Sequence, residues 1–219
     1  MRDFDLVLLG ATGFTGKLVA QYLAKHPMRW ALAGRNRDKL EEVQRSLGVD
    51  VPIVIADALD PQACEQLAAR TKVVCTTVGP YTKYGSEVVA ACAAAGTHYC
   101  DLTGEVSWMR TMIDAHHETA RRTGARIVHA SGFDSIPSDL GTWATQQAFI
   151  ERFGVPAHSV TAYYGKLSGG FSEGTAGSMF VIADAMENRE VRKVLGNPYG
   201  LDPDPREPRP AAPDEVAPR

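Results

Sequence analysis

The chain has 219 residues, enough for one sizeable domain and part of a second. Apolar residues make up 44% and charged residues 22%, with a net charge of -3 and a pI near 6.1. That balance excludes the broad basic field that holds nucleic acid or acidic lipid, so any anion site has to be local. The longest apolar runs are too short to span a bilayer, which leaves only peripheral attachment to a membrane open.

In chain order, "FDLVLLG" (4–10) is a short β-rich run closed by glycine, and "FTGKLVAQYLAKH" follows it as a helix. "WALAGR" (30–35) is a second strand, and Leu40, Val43 and Leu47 then repeat at helical spacing. "VPIVIAD" (51–57) is a third strand, followed by a helix with Asp60 as N-cap and Pro61 in its first turn. "KVVCTTVGP" (72–80) is a fourth strand, with a helix over 86–95 behind it. "THYCDLTGE" (97–105) is a short fifth strand leading to a helix that ends near Arg122. "ARIVHASGFDSIP" (125–137) is a sixth strand with its exit loop, and a helix runs from Ser138 to about Arg152.

Six alternations of short strand and helix predict an α/β fold, a Rossmann-type doubly wound parallel sheet over residues 1–153. After Pro156 the rhythm changes. "HSVTAYYGKLSGGF" (158–171) is β-rich without a crossover, and 173–196 reads as one long helix. Residues 154–201 are therefore expected to open a mixed α/β second domain for substrate or dimerisation. Residues 202–219, with six prolines among eighteen positions and charges of both signs, are expected to be a flexible tail or loop.

Four cysteines occur, Cys64, Cys75, Cys92 and Cys100, with no C-x-x-C pair among them. Two fall in apolar runs, where a free thiol packs as a small hydrophobe. With no signal peptide at the start, the cytoplasm is the expected compartment.

Gly10, Gly13 and Gly16 lie where the first strand gives way to the first helix. There, Gly10 permits the tight turn, Gly13 lets backbone amides approach a pyrophosphate, and Gly16 lets the helix pack close to the sheet. Thr12, Phe14 and Thr15 complete the expected cofactor-binding turn, with the helix N-terminus facing the phosphates. The end of the second strand, where an acid would select NAD, instead reads Gly34, Arg35, Asn36 and Arg37. A guanidinium suits a 2′-phosphate, so NADP (NADPH) is the expected cofactor, with Arg35, Asn36 and Arg37 as its expected binding residues and Arg35 ahead of Arg37; solvated loop charges are the alternative for the two arginines. Asp57, closing the third strand, either accepts from the adenine amine or caps its own turn. Val78, Gly79 and Pro80, closing the fourth, are expected to line the nicotinamide half.

No tyrosine has a lysine four residues on, which argues against a short-chain reductase; Tyr163 and Lys166 are three apart. His116 and His117 are adjacent on a helix and point to different sides, and H-E-x-x-H spacing is missing, so no metal is expected. Asp101, Glu105, Asp134 and Asp139 follow the fifth and sixth strands, at the edge where a substrate meets the cofactor. Asp134, Ser135 and Ser138 serve equally well as helix caps. Tyr81, Tyr84 and Asp134 are the candidates for a proton donor.

"GATGFTG", "LAGRN", "TTVGPY", "YCDLTGE" and "GFDSIPSDLG", in this order and at these intervals, resemble the saccharopine dehydrogenase-like oxidoreductases. The closest likeness is to the trans-acting enoyl reductase branch of mycobacteria and related actinobacteria. The resemblance implies a Rossmann domain followed by a mixed α/β domain, and NADP-type hydride transfer. In that branch it implies reduction of an enoyl intermediate in phthiocerol-type lipid assembly, with an acyl or lipid substrate and a polyketide synthase as partner. A homo-oligomer is the expected state. Glu173 stands where the family pattern favours glycine. The alternatives are a saccharopine-type amino-acid dehydrogenase and a non-catalytic NADP-binding regulatory protein.

Overall fold

The computed structural model describes residues 2–166, 177, 180, 183, 185–197 and 199–202. Its centre is a six-stranded parallel sheet in the order β3-β2-β1-β4-β5-β6, formed by β1 (Phe4–Leu9), β2 (Trp30–Gly34), β3 (Ile53–Ile55), β4 (Thr71–Thr76), β5 (His98–Cys100) and β6 (Ile127–Val128). This is the Rossmann order expected from the alternation of elements. The central strand β1 carries the register, with Val7 opposite Ala31 of β2 and Val74 of β4.

Successive side chains of a strand point to opposite faces, so β1 feeds two cores. On one face Leu8 meets Ala20 and Leu23 of α1 (Phe14–Leu23) and Leu40 and Val43 of α2 (Arg37–Leu47). On the other, Val7 and Leu9 join Leu67 of α3 (Pro61–Arg70), Val88 and Cys92 of α5 (Ser86–Ala95), and Trp108 and Met112 of α6 (Val106–Thr123). Burying each such leucine or valine contributes about 1.5–3 kcal/mol. A short helix α4 (Tyr81–Tyr84) links β4 to α5.

Asp60 caps α3 as expected, its Oδ1 accepting from the amides of Gln62 at 2.9 Å and Ala63 at 3.3 Å. The fifth and sixth strands are much shorter than the apolar runs suggest. After Cys100 and Val128 the chain leaves the sheet, because Asp101 takes over its backbone bonding: Asp101 Oδ1 accepts from Thr103 and Ala130, and its carbonyl accepts from Ser131. Ala130 turns the chain with a φ of 54°, in the left-handed region.

Helix α7 spans Ile136–Phe153, beginning two residues earlier than expected, and Ser135 at its N-cap makes no side-chain capping bond. Ser138 instead pairs with the hydroxyl of Tyr164. The β-rich stretch 158–171 forms no strand over its described part, 158–166, which runs largely exposed with no strand beside it. The expected long helix 173–196 is broken. The chain turns over Met186–Asn188, where Arg192 Nη1 donates to the carbonyls of Met186 and Glu187 at 2.7 and 2.9 Å, before α8 (Arg189–Leu195) begins. Helix α8 packs against α6, and Leu201 rests on the core beneath it. Glu173 and residues 203–219 lie outside the described residues.

Candidate cofactor and substrate site

The three glycines do different physical work. Gly10 has a φ of 89°, and a Cβ there would stand 2.7 Å from Val78 Cγ2, so the turn after β1 lies directly against the loop after β4. Thr77 Oγ1 donates across this contact to the Gly10 carbonyl at 3.2 Å. A Cβ at Gly16 would come within 2.1 Å of that same carbonyl, which is how closely α1 approaches the sheet. At Gly13 a Cβ would meet only Gly10 O, at 3.5 Å. Gly13 and Phe14 are exposed, and Thr12 and Thr15 half-buried.

No side chain caps α1 at Gly13. Its first-turn amides therefore face the open side of the turn with the positive end of the helix dipole behind them. A pyrophosphate fits this arrangement, since the backbone is approachable and no side chain covers it.

Arg35 leaves the end of β2 with its side chain 64% exposed and Nη1 3.9 Å from Asp57 Oδ2. Asp57 also holds its own turn, Oδ1 accepting from the Leu59 amide at 3.0 Å. Asn36 acts as a cap, its Oδ1 accepting from the Lys39 amide at 3.0 Å at the start of α2. Arg37 is exposed in the first turn of that helix. The strand end thus offers two exposed guanidinium groups, Arg35 and Arg37, the first loosely paired with Asp57, and it is the guanidinium that suits a 2′-phosphate.

Val78, Gly79 and Pro80 are half-buried at the carboxyl end of β4, joined by a cis Gly79–Pro80 bond. Behind them lies a buried polar lattice. Glu105, 1% exposed, accepts from the amides of Tyr81 and Thr82, both at 2.8 Å, and from Thr82 Oγ1 at 2.5 Å. Glu105 N donates to Thr103 Oγ1, and Thr103 N to Asp101 Oδ1. Asp101 Oδ2 then accepts from Tyr99 OH at 2.8 Å and from His129 Nδ1 at 2.7 Å. The loops after β4, β5 and β6 are fixed to one another by these bonds.

Tyr81 belongs to this lattice. It is 3% exposed, its hydroxyl donates to Thr76 O at 3.2 Å and accepts from the Leu102 amide at 3.4 Å, and burial pushes its phenol up. Tyr84 is half-buried, with Lys83 Nζ 5.1 Å from its ring centre, and Asp134 is exposed in the loop after β6. Sequence reasoning singled out Asp101 and Glu105 but missed His129. The available signal was its place two residues after Ile127, which puts it on the same face as that strand residue.

The saccharopine dehydrogenase NADP-binding domain, as a family, matches residues 6–128, more than half of the chain. The chain belongs to this family. NADP(H) is the cofactor that goes with such a saccharopine dehydrogenase-like domain, and the glycine turn and Arg35 fit it. A trans-acting enoyl reductase of Mycobacterium bovis is 44% identical over 212 residues, covering 93% of this chain and 50% of that protein. A Mycobacterium tuberculosis protein whose name gives the same activity provisionally is 49% identical over 209 residues, with the same coverages. The chain thus spans about half the length of these curated relatives. Among solved structures, apo saccharopine dehydrogenase (L-Glu forming) of Saccharomyces cerevisiae superposes with a TM-score of 0.52. It is 20% identical and covers 69% of this chain and 32% of that one, a likeness of fold.

Proposed function

We propose that this chain is the cofactor-binding part of an NADPH-dependent enoyl reductase that acts in trans on acyl intermediates carried by a polyketide synthase. The observation that carries the reading is the open glycine turn beside Arg35, in a chain 44% identical to a protein named for that activity. Amides of the first turn of α1, at Phe14, Thr15 and Gly16, hold the pyrophosphate, and Arg35 holds the 2′-phosphate. Val78, Gly79 and Pro80 support the nicotinamide.

A reduced nicotinamide, when bound, supplies the hydride. The residues of this chain orient it. Glu105 locks the loop after β4 through two backbone amides and a hydroxyl, so the lining residues sit in one position without rearrangement. A substrate double bond then lies above the loops after β5 and β6. Because the Tyr81 hydroxyl is tied between Thr76 and Leu102, Tyr84 and Asp134 are the residues we assign as candidates for delivering the proton. The proposed assembly is a homo-oligomer whose substrate-facing domain begins after residue 153.

NADPH oxidation followed at 340 nm with a panel of enoyl thioesters tests the reading. Turnover is the expected result for the protein carrying this chain. NADPH binding without turnover on any member of the panel would favour a regulatory role.

A further inference from the structure

The pairing of β4 with β5 sets Cys75 directly beside Cys100. Side chains alternate along a strand, and Val74 and Tyr99 face the core formed with α3, α5 and α6. Both cysteines therefore point to the other face, side by side, in a row that runs Leu8, Cys75, Cys100, Val128 across β1, β4, β5 and β6. Both are free thiols. Adjacent strands lie about 4.7–4.9 Å apart, inside the roughly 4.4–6.8 Å that disulfides span between Cα atoms. A bond between the two sulfurs thus needs no change of register. Its relaxed Cβ separation of roughly 3.8 Å is shorter than the strand spacing, so closing it draws the ends of β4 and β5 together.

The helices whose buried side chains pack on this face, α1 and α2, lie against β1, β2 and β3. Farther along the row the face is open among the described residues: Cys75 and Cys100 are half-buried, and Val128 is 50% exposed. A small oxidant reaches the pair from that side. The two thiols share a hydrogen bond, which holds Cys100 below the ordinary thiol range and, with burial, pushes Cys75 up. Cys100 is the member that ionises first, and the thiolate is the reactive form.

We propose that Cys75 and Cys100 are a reversible redox pair, oxidised by a peroxide to a disulfide that bridges β4 and β5 beneath the cofactor loops. The Cys100 thiolate attacks one peroxide oxygen, the O–O bond breaks, and the other oxygen leaves as hydroxide. Cys75 then attacks the sulfur of the resulting sulfenic acid; the S–S bond forms, the S–O bond breaks, and the oxygen leaves as water. In sum, two thiols lose two electrons and two protons, and hydrogen peroxide becomes two waters. Thr76, next to Cys75, accepts from the Val78 amide at 3.2 Å through Oγ1 and from Tyr81 OH through its carbonyl, and Asp101, next to Cys100, anchors the buried lattice. Drawing the strand ends together displaces the loop that carries Val78 to Pro80. A loss of NADPH affinity on oxidation follows, a consequence that rests on the cofactor site proposed above.

The test treats the folded chain with hydrogen peroxide, caps the remaining thiols with N-ethylmaleimide and maps the non-reduced peptides by mass spectrometry. The expected result is a Cys75–Cys100 crosslink, lighter by two hydrogens, that dithiothreitol removes and that neither Cys75→Ala nor Cys100→Ser forms. Peroxide lowers the NADPH affinity of the wild-type chain several-fold, dithiothreitol restores it, and Cys100→Ser keeps its affinity under peroxide. No such crosslink, or one that forms only in denaturant, overturns the redox pair. A crosslink that leaves NADPH affinity unchanged overturns its control of the cofactor site. A reduced chain that binds no NADPH sinks the cofactor reading instead, while the peptide map still decides the thiol pair.

Discussion

The backbone amide of Tyr81 donates to Oε1 of Glu105 at 2.8 Å, joining two loops 24 residues apart in sequence. A buried carboxylate that holds two amides and a hydroxyl cannot be replaced by an amide side chain, because one of its two acceptors becomes a donor facing donors. Glu105→Gln is therefore expected to lower unfolding stability by about 1–3 kcal/mol and to loosen the loop that carries Val78 to Pro80. Denaturant titration and NADPH titration of the same variant check both halves. Wild-type stability in the variant refutes the clamp.

Two glycine substitutions three residues apart should behave differently. Gly16→Ala places a methyl 2.1 Å from a carbonyl oxygen, which α1 can accommodate only by moving off the sheet. A loss of several degrees in melting temperature is expected, together with loss of NADPH binding. Gly13→Ala meets only an ordinary contact at 3.5 Å, so its melting temperature should stay near wild type while NADPH binding falls about tenfold or more. Circular dichroism melts and fluorescence titrations distinguish them. Equal thermal effects would contradict the assigned roles.

Arg35→Ser removes the guanidinium beside Asp57. A charged hydrogen bond of about 1.5–3 kcal/mol corresponds to roughly a 10- to 100-fold loss of NADPH affinity, with NADH nearly unaffected. Parallel titrations with the two nucleotides measure the ratio. A common loss for both would mean that Arg35 does not read the 2′-phosphate.

Cys64 is 2% exposed between the carbonyls of Asp57 and Ala58, and burial, reinforced by the charge of Glu87, pushes its thiol up to about 11. Its unfolded value is about 8.5. A raised folded value favours the thiol form, so this contribution to stability is complete below about pH 8.5 and is lost as pH rises toward 11. Wild type should lose more stability than Cys64→Ala over that alkaline window. The native thiol should also resist iodoacetamide at pH 8, as read by intact mass. Rapid labelling at that pH would show that the site opens.

The strand–turn–helix at Gly10 to Gly16 and the cap at Asp60 were legible because each is local, set by residues within a few positions of one another. Asn36 was assigned to the cofactor and also caps α2, a role that its position just ahead of "RDKLEE" already permitted. The Asp101–His129 contact was not legible, since it joins the ends of two neighbouring strands 28 residues apart and only the pairing of β5 with β6 creates it. Asp101 also shortens β6 through other bonds, its Oδ1 and carbonyl capturing the Ala130 and Ser131 amides that a longer sixth strand would have used. The β-rich residues 158–166 failed as a strand for a related reason. Branched and aromatic side chains favour a pleated surface, but a strand needs a neighbour, and no described strand pairs with them.

Helix α7 extends for 18 residues without one buried side chain, and it leaves Leu140, Trp143, Ile150 and Phe153 in solvent. Its side-chain bracket through Gln146 reaches only Ala157, a short way down its own chain. A helix of this length held by its own backbone, the Gln146 bracket and the Ser138–Tyr164 pair, with no buried side chain, is marginal in water. Its amide protons should therefore exchange for deuterium early, near the rate of the unfolded chain, while those of Val7, Leu8 and Val74 persist until the whole sheet opens.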